Sequence, residues 1–295
     1  MSFQIRRAVR QKAKLRIGMF GTSGSGKTYS ALLLAKGLVG DWSKVCVIDS
    51  ENNSADLYAD LGEYNTLLLS APYTPERYVE AIKTCIQAKM ECIIVDSISH
   101  EWEGKGGALE IKEQLDLGGG NSYTNWGRIT PRHNSFLEEI LTAPCHVICC
   151  GRVKTDVVIS QNDKGKSVPQ KVGLKVITRE GLDYEMTACF DIQNKSHLAT
   201  VSKDRTGLFV DKPDWVITSK DGELLAQWAD SGAEVIERPL TLQEFEREVM
   251  AWGKNYGLTL SNALPYFCTN GEVSLAQIPE DERRQRLRVY EVTNS

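Results

Sequence analysis

A glycine-rich octapeptide, Gly21-Thr22-Ser23-Gly24-Ser25-Gly26-Lys27-Thr28, constrains this chain more than any other feature. It matches the pattern G-x-x-x-x-G-K-[ST], whose glycines let successive backbone N–H groups point inward at a phosphate. The lysine adds a positive charge near the terminal phosphates, and the threonine hydroxyl is a ligand for Mg²⁺. An apolar strand-like run at 15–20 precedes the loop and a helix-like run at 29–35 follows it. We therefore expect a site for a nucleoside triphosphate rather than a chance Gly/Ser turn.

Length and composition indicate a water-soluble globular protein. The chain has 295 residues, of which 41% are apolar and 25% charged, enough for one large core plus a small appendage. No apolar run approaches the roughly 20 residues that span a bilayer, and the basic N-terminus lacks the apolar stretch of a signal peptide. We expect a cytoplasmic protein with no membrane partner.

The eight cysteines do not indicate a metal site. No two of them are separated by two residues, and Cys46, Cys92, Cys149 and Cys150 lie in apolar runs. Reduced thiols packed in the core are therefore expected, rather than disulfides or zinc ligands.

Charge is unevenly distributed along the chain. The net charge is −4, yet residues 1–16 carry six basic residues and no acidic one, so the remainder carries about −10. Residues 1–14 read either as a basic arm that contacts nucleic acid or a neighbouring subunit, or as a solvated extension.

Strand-like and helix-like segments alternate over 15–237, which predicts an α/β core with a mostly parallel sheet flanked by helices. Two polar stretches, 104–125 and 152–179, read as poorly ordered loops. Two antiparallel strands are expected after the second stretch, at 184–192 and 197–202.

Residues 238–295 read as a small helical C-terminal module. Thr241-Leu242-Gln243-Glu244 has the pattern of a capping box, and apolar residues follow it at helical spacing.

Acidic residues at two strand ends are candidates for the chemistry of the site. Asp96 ends the apolar run 92–96, where a P-loop enzyme places its second Mg²⁺ contact beside Thr28. The residue after it is Ser97, so the carboxylate that activates water must come from elsewhere. Glu51 is the first candidate and Glu101 the alternative.

The order of these motifs resembles the core of RecA-type recombinases over about 15–210. The resemblance rests on residues 47–51, Tyr58, residues 93–97 and Arg152-Val153-Lys154. It implies that Glu51 activates water and that Tyr58 stacks on adenine. The nucleotide-binding set is then Gly21, Thr22, Ser23, Gly24, Ser25, Gly26, Lys27, Thr28, Tyr29 and Tyr58, and the expected ligands are ATP and Mg²⁺.

A second element, Lys203-Asp204-Arg205, resembles the K-x-R element of RecA-like ATPases and hexameric helicases. In those proteins a subunit inserts the two cations into its neighbour's ATP site. The resemblance implies that Lys203 and Arg205 act in catalysis between subunits of a homo-oligomer; an exposed basic turn is the alternative.

The overall pattern is most similar to phage-encoded RecA-like ATPases of single-strand annealing and recombination. This rests on residues 13–15, Trp126-Gly127 with Pro131 and His133, residues 171–174 and residues 179–185. It implies single-stranded DNA as a partner, a single-strand-binding protein as a further candidate partner, and the host cytoplasm as location.

The same resemblance places two DNA-facing loops at 103–125 and 155–178. The second is the stronger candidate because its cations suit phosphate binding, although solvated basic loops are the alternative. The residues expected to bind DNA are Arg152, Lys154, Lys164, Lys166, Lys171 and Lys175.

Two departures leave the function open. Recombinases carry a glutamine where this chain has Gly151 and Arg152, and the C-terminal module has no clear counterpart in them. Three functions therefore stay under consideration: a DNA-dependent recombination ATPase, a ring-forming helicase or translocase, and a P-loop kinase or nucleotide switch.

Overall fold

The apolar runs of the sequence become the strands of one central sheet. The computed structural model describes residues 7–119, 121–161, 167–233 and 240–292, with the backbone alone described at 156–161, 167–172 and 288–292. The chain forms two compact units, the first ending at Ala233 and the second taking up the rest.

Eight strands form the sheet of the first unit. They are β1 (Arg16–Gly21), β2 (Val45–Asp49), β3 (Asn65–Leu68), β4 (Cys92–Asp96), β5 (His146–Gln161), β6 (Ser167–Val176), β7 (Ala188–Ile192) and β8 (Ala199–Asp204). Their order is β3-β2-β4-β5-β1-β7-β8, with β6 paired to β5. The neighbours from β3 to β7 are parallel, whereas β5–β6 and β7–β8 are antiparallel. The α/β class with a mostly parallel sheet is confirmed.

Helices cover both faces of this sheet, as buried parallel strands require. The first unit contains α1 (Lys27–Val39), α2 (Pro75–Gln87), α3 (Ile98–Glu103), α4 (Ala108–Leu117), α5 (Ser122–Thr142), α6 (Leu182–Glu185) and α7 (Ser219–Asp230). Every residue of β1, β2 and β4 is buried, which explains their nearly continuous apolar sequences.

Two apolar cores lie on opposite sides of the sheet. On one side Ile17 and Met19 pack with α1 and α7, and there Gly37 and Gly222 bring the two helix backbones into direct contact. On the other side α2 and α5 meet through Tyr78 and Phe136, whose ring centroids lie 5.2 Å apart. Seven of the eight cysteines are buried and all eight are free thiols, as expected from their sequence context.

The polar stretch 104–125 is not the loop that its composition predicts. It contains α4 and the start of α5. The Asn121 side chain accepts a hydrogen bond from the backbone N–H of Tyr123 at 2.9 Å, and Asp116 accepts one from Asn125 at 2.8 Å. The glycines mark the short turn between two capped helices, which composition alone does not distinguish from a long loop.

The second polar stretch is also more regular than expected. β5 continues for 16 residues, beyond the parallel sheet, and pairs with β6 from Val153 onward as an antiparallel hairpin. The prediction of a poorly ordered loop overlooked the alternation of valine, isoleucine and leucine with polar residues, which is the period of a strand. Lys164 and Lys166, both predicted to bind DNA, lie outside the described residues.

The strand predicted at 184–192 begins later, at Ala188, because α6 occupies 182–185. Its antiparallel partner is β8, two residues later than expected.

The second unit is helical. It contains α8 (Leu242–Asn255), α9 (Leu260–Phe267) and α10 (Glu280–Val292) around a core that includes Phe245, Val249 and Phe267. The predicted capping box forms, since the Glu244 carboxylate accepts from the Thr241 N–H at 3.0 Å and the Thr241 hydroxyl accepts from the Glu244 N–H at 3.4 Å. Among the described residues, no helix has the length and apolarity needed to cross a membrane.

Candidate functional site

The glycine-rich loop connects the end of β1 to the start of α1 at the carboxyl edge of the sheet. Gly24 and Gly26 have φ angles of +77° and +95°, a region that residues with a Cβ adopt only with strain. Gly26 is also the N-cap of the 13-residue helix α1. The loop therefore delivers backbone N–H groups and the positive end of a helix dipole to one place, an arrangement that binds phosphate.

Lys27 is the first residue of α1 and is only 7% exposed. Its ammonium group donates a hydrogen bond to the Thr22 carbonyl at 2.9 Å. The side chain thus bends back over the loop, where its charge faces the concave surface that the glycines form.

Asp96 and Thr28, the two residues predicted to hold Mg²⁺, lie together at one end of the site. The Thr28 hydroxyl donates to Asp96 Oδ2 at 2.5 Å, and Asp96 is 1% exposed. Burial raises the pKa of Asp96 to about 6, with a further increase from the nearby Glu51 charge. Its second oxygen, Oδ1, is buried without a hydrogen-bond partner in the described part of the chain.

These donors fit Mg²⁺, which prefers carboxylate and hydroxyl oxygens and usually keeps several waters. An unsatisfied buried carboxylate oxygen requires an explanation, and a cation held through it is one. Thr28 and Asp96 would hold the ion, which neutralises phosphate charge when bound. No cluster of three or more His, Cys, Asp or Glu side chains able to hold a metal occurs in the ranges described above.

Glu51 is fixed beside Asp96 by the turn after β2. Asp49 Oδ1 accepts from the Glu51 backbone N–H at 2.6 Å, and Asp49 Oδ2 accepts from the Ala55 N–H at 2.8 Å. Because β2 and β4 are parallel with Asp49 opposite Asp96, the two strand ends bring these carboxylates together.

The Glu51 carboxylate has a cationic partner on another strand. Arg152 Nε donates to Glu51 Oε1 at 2.9 Å, and the two side chains are 36% and 23% exposed. Arg152, one of the residues that the sequence predicts to bind DNA, thus lies beside Glu51, at the point where β5 leaves the parallel sheet.

Glu101, the alternative activator of water, faces away from this site. It is fully buried, its carboxylate contacts His133 Nδ1 at 3.0 Å, and burial raises its pKa. Its partner lies on α5, so the geometry favours Glu51 as the residue that contacts water.

The two tyrosines assigned to the nucleotide lie together. The rings of Tyr29, on α1, and Tyr58 meet edge to face with centroids 5.7 Å apart. Tyr29 is 41% exposed, so this aromatic pair offers an apolar surface beside the first turn of the P-loop helix.

Two residues that contact the glycine-rich loop, Asn194 and His197, are not predicted from the sequence. Asn194 Nδ2 donates to the Thr22 hydroxyl at 2.9 Å and to the Ser23 carbonyl at 2.8 Å. His197 Nδ1 donates to the Ser25 carbonyl at 2.8 Å. Both residues follow β7, which lies parallel to β1. The available signal was a polar turn after a strand, but the pairing of that strand with β1 is not readable locally.

Lys203 and Arg205 contact their own chain. Lys203 donates to the carbonyls of Asp183 and Tyr184 at 2.6 Å each, and Arg205 donates to the Tyr184 carbonyl at 2.5 Å. Those carbonyls belong to the short helix α6. The two cations therefore lie next to one another and contact α6 of their own chain.

Lys154 and Lys175 face one another in the hairpin register. Lys154 is exposed, and Lys175 forms an ion pair with Glu180. The backbone of Lys171 lies on β6, opposite Val157. Of the six residues assigned to DNA, the structure thus brings two cations and one backbone position onto the hairpin.

The model of the AAA domain family matches residues 13–222, which is more than half of the chain. The chain belongs to the AAA domain family. With its P-loop, Asp96 and mostly parallel sheet, it is a P-loop ATPase domain of the AAA kind, a class that binds nucleotide and usually Mg²⁺.

No curated protein matches this AAA domain protein significantly. Among solved structures, it is similar to the KaiC-like protein PH0186 from the hyperthermophilic archaeon Pyrococcus horikoshii OT3. The two share 14% identity over 68% of this chain and 89% of that one, with a TM-score of 0.33.

Proposed function

We propose that this protein is a phage recombination ATPase that hydrolyses ATP when it binds single-stranded DNA and promotes strand annealing or exchange. The observation that carries the proposal is the course of β5. This strand passes Arg152, the partner of Glu51, and continues as the hairpin that carries Lys154. A ligand that moves the hairpin therefore acts on the group that holds the catalytic carboxylate.

Glu51 is the general base for hydrolysis in this proposal. It takes a proton from water while the water oxygen bonds to the γ-phosphorus and the bond to the ADP oxygen breaks. Lys27, the loop N–H groups and the dipole of α1 stabilise the charge on the phosphate oxygens. Tyr29 and Tyr58 position the adenine.

DNA binding in this proposal is electrostatic and independent of sequence. Lys154 and Lys175 lie opposite each other on the two strands of the hairpin, and lysine side chains bind DNA by neutralising phosphates. Affinity should then fall steeply with salt, because each neutralised phosphate releases counterions.

The ATP site is completed between subunits of a homo-oligomer, either a filament or a ring. Lys203 and Arg205 are adjacent cations whose present partners are neutral backbone carbonyls. A neighbour's γ-phosphate would be a stronger acceptor for both, since hydrogen bonds between charged groups are about twice as strong as neutral ones. A single-strand-binding protein is a further candidate partner.

The decisive test measures ATP hydrolysis with and without single-stranded DNA. We expect DNA to raise the rate, and Lys27→Ala to remove hydrolysis under both conditions. Electron microscopy with DNA and a non-hydrolysable ATP analogue then reports the assembly. Absence of DNA binding at low salt would overturn the proposal, and directional unwinding would instead identify a helicase motor.

A further inference from the structure

A cavity of about 1150 Å³ lies beside the root of the hairpin, between α3, α5 and the end of β6. Three aromatic side chains line it, Trp102, Tyr123 and Trp126, together with the cations Lys154, Lys175 and Arg179. Such a volume is slightly above the roughly 300–1,000 Å³ of typical small-ligand pockets, so it has room for a segment of a polymer.

Two of the three aromatic side chains stack on each other, and the third is exposed to solvent. Trp102 and Trp126 stack with centroids 5.9 Å apart and an angle of 18° between their planes. Tyr123, one turn earlier on α5 than Trp126, is 84% exposed. A tyrosine exposed to that extent contributes little to the core, but it offers a ring face to a ligand.

The cations are positioned over and beside these rings. The Arg179 guanidinium lies 5.9 Å from the Trp126 ring centroid and donates to the Thr130 hydroxyl at 2.8 Å. Glu180, at the rim, pairs with Lys175. Aromatic faces interleaved with cations are the combination that binds single-stranded nucleic acid, because bases stack while phosphates are neutralised.

We propose that this cavity holds bases of single-stranded DNA, stacked on Tyr123 and packed against the tryptophan pair, while Lys154 and Arg179 contact the flanking phosphates. The inference rests on the proposed function and specifies where the bases lie. The proposed site differs from purely electrostatic DNA binding by the hairpin. It requires base stacking, and it includes residues of α5, which lies outside the hairpin.

Helix α3 connects the cavity to the candidate ATP site in two ways, through the chain and through a hydrogen bond. Helix α3 begins two residues after Asp96 and carries Trp102 near its end. Ser99 of the same helix accepts a hydrogen bond from the Arg152 backbone N–H at 2.9 Å. A base bound against Trp102 and Trp126 would therefore contact the helix that follows Asp96 and accepts a hydrogen bond from the Arg152 backbone.

The test compares the affinities of several protein variants for two DNA probes, measured by fluorescence anisotropy. One probe is an oligothymidylate and the other is an abasic sugar-phosphate oligomer of the same length. The variants are Tyr123→Ala and Trp126→Ala, with Tyr256→Ala in the second unit as the matched control. Tyr256 is 50% exposed.

We expect Tyr123→Ala and Trp126→Ala each to weaken oligothymidylate binding on the order of ten-fold. Both substitutions should weaken binding of the abasic oligomer much less. Tyr256→Ala should leave the affinity for both probes unchanged. Trp126→Phe should restore most of the affinity, because the aromatic face returns. Thermal melting identifies a variant that fails to fold, and for the exposed Tyr123 that failure is not expected.

Equal losses on both probes, or no loss with Tyr123→Ala, would overturn the stacking site while leaving DNA binding by the hairpin intact. If the unmodified protein binds neither probe at low salt, the proposed function itself fails. The two failures are therefore distinguishable.

Discussion

Glu51 is held at two points, its backbone by Asp49 and its carboxylate by Arg152. The first contact fixes the position of the residue, and the second competes with water for the carboxylate. The Glu51 carboxylate and its arginine partner give two separate predictions for single substitutions.

Replacing Glu51 with glutamine keeps the shape of the side chain and removes its basicity. We expect hydrolysis to fall by about 10²–10⁴-fold, the usual contribution of a general base, with ATP binding retained. Single-turnover hydrolysis and nucleotide binding measure the two effects. Glu103→Gln, an exposed position on α3, is the matched control, and normal turnover in Glu51→Gln would exclude the assigned role.

Replacing Arg152 with alanine releases the Glu51 carboxylate. Because the pair is partly exposed, we expect hydrolysis without DNA to rise by no more than about fivefold, the equivalent of a 1 kcal/mol ion pair. The stimulation by DNA should shrink correspondingly. Arg128→Ala, an exposed cation on α5, controls for loss of charge, and a lower basal rate in Arg152→Ala would show that the arginine assists the reaction.

At the scale of helices and strands, α1 and α7 pack through glycine. A Cβ added at Gly222 would collide with the Leu34 carbonyl of α1. We expect Gly222→Ala to lower the free energy of unfolding by at least about 1–3 kcal/mol. Since α1 begins with Lys27, the same change should also weaken ATP binding.

Gly127 provides the opposite case on α5. Nothing lies within 4 Å of a Cβ added there, and alanine in a helix is favoured over glycine by about 0.8–1.0 kcal/mol. Thermal melting should therefore show Gly127→Ala above the unmodified protein and Gly222→Ala below it. The reverse order would contradict the packing described for α1 and α7.

The elements that sequence predicts well are those with a local signal. The strand before the P-loop, the helix after it and the apolar run ending at Asp96 have continuous apolar patterns. The sheet class and the proximity of Thr28 to Asp96 could therefore be inferred. The capping box at Thr241 is equally local. The hairpin after Arg152 is not predicted, because the many polar residues of this stretch indicate a loop and obscure the alternation of apolar and polar residues that is typical of a strand.

Contacts between distant segments could not be inferred. Arg152 and Glu51 are 101 residues apart, and Asn194 is 172 residues from Thr22. The first pair meets because β4 lies between β2 and β5 in the sheet, and the second because β7 pairs with β1. Strand order is a global property, since it follows from which crossovers pack together rather than from any one strand.

At the scale of the assembled protein, a site shared between subunits predicts complementation. Lys27→Ala lacks the P-loop cation, and Lys203→Ala/Arg205→Ala lacks the donated cations. Each variant alone should be inactive. In an equal mixture, about a quarter of the interfaces combine one intact half from each variant, so hydrolysis should recover to about that fraction.

Mixing each inactive variant with buffer in place of its partner controls for residual activity. Hydrolysis that stays absent in the mixture, while each variant alone still assembles on DNA, would place the two cations outside the ATP site. Dependence of the unmodified protein's specific activity on its concentration provides an independent check, because a shared site forms only on assembly.

The reaction of the buried cysteines with a thiol reagent can report how often the sheet opens locally. Burial raises the pKa of Cys149 to about 12, and six other cysteines are buried as well, so a thiol reagent reacts only with molecules whose strands have separated locally. The rate of thiol labelling therefore reports the frequency of local opening, and no cysteine has to be introduced for the measurement. Nucleotide bound at the end of β1 should slow labelling of Cys149 and Cys150 on the adjacent strand, in proportion to its occupancy.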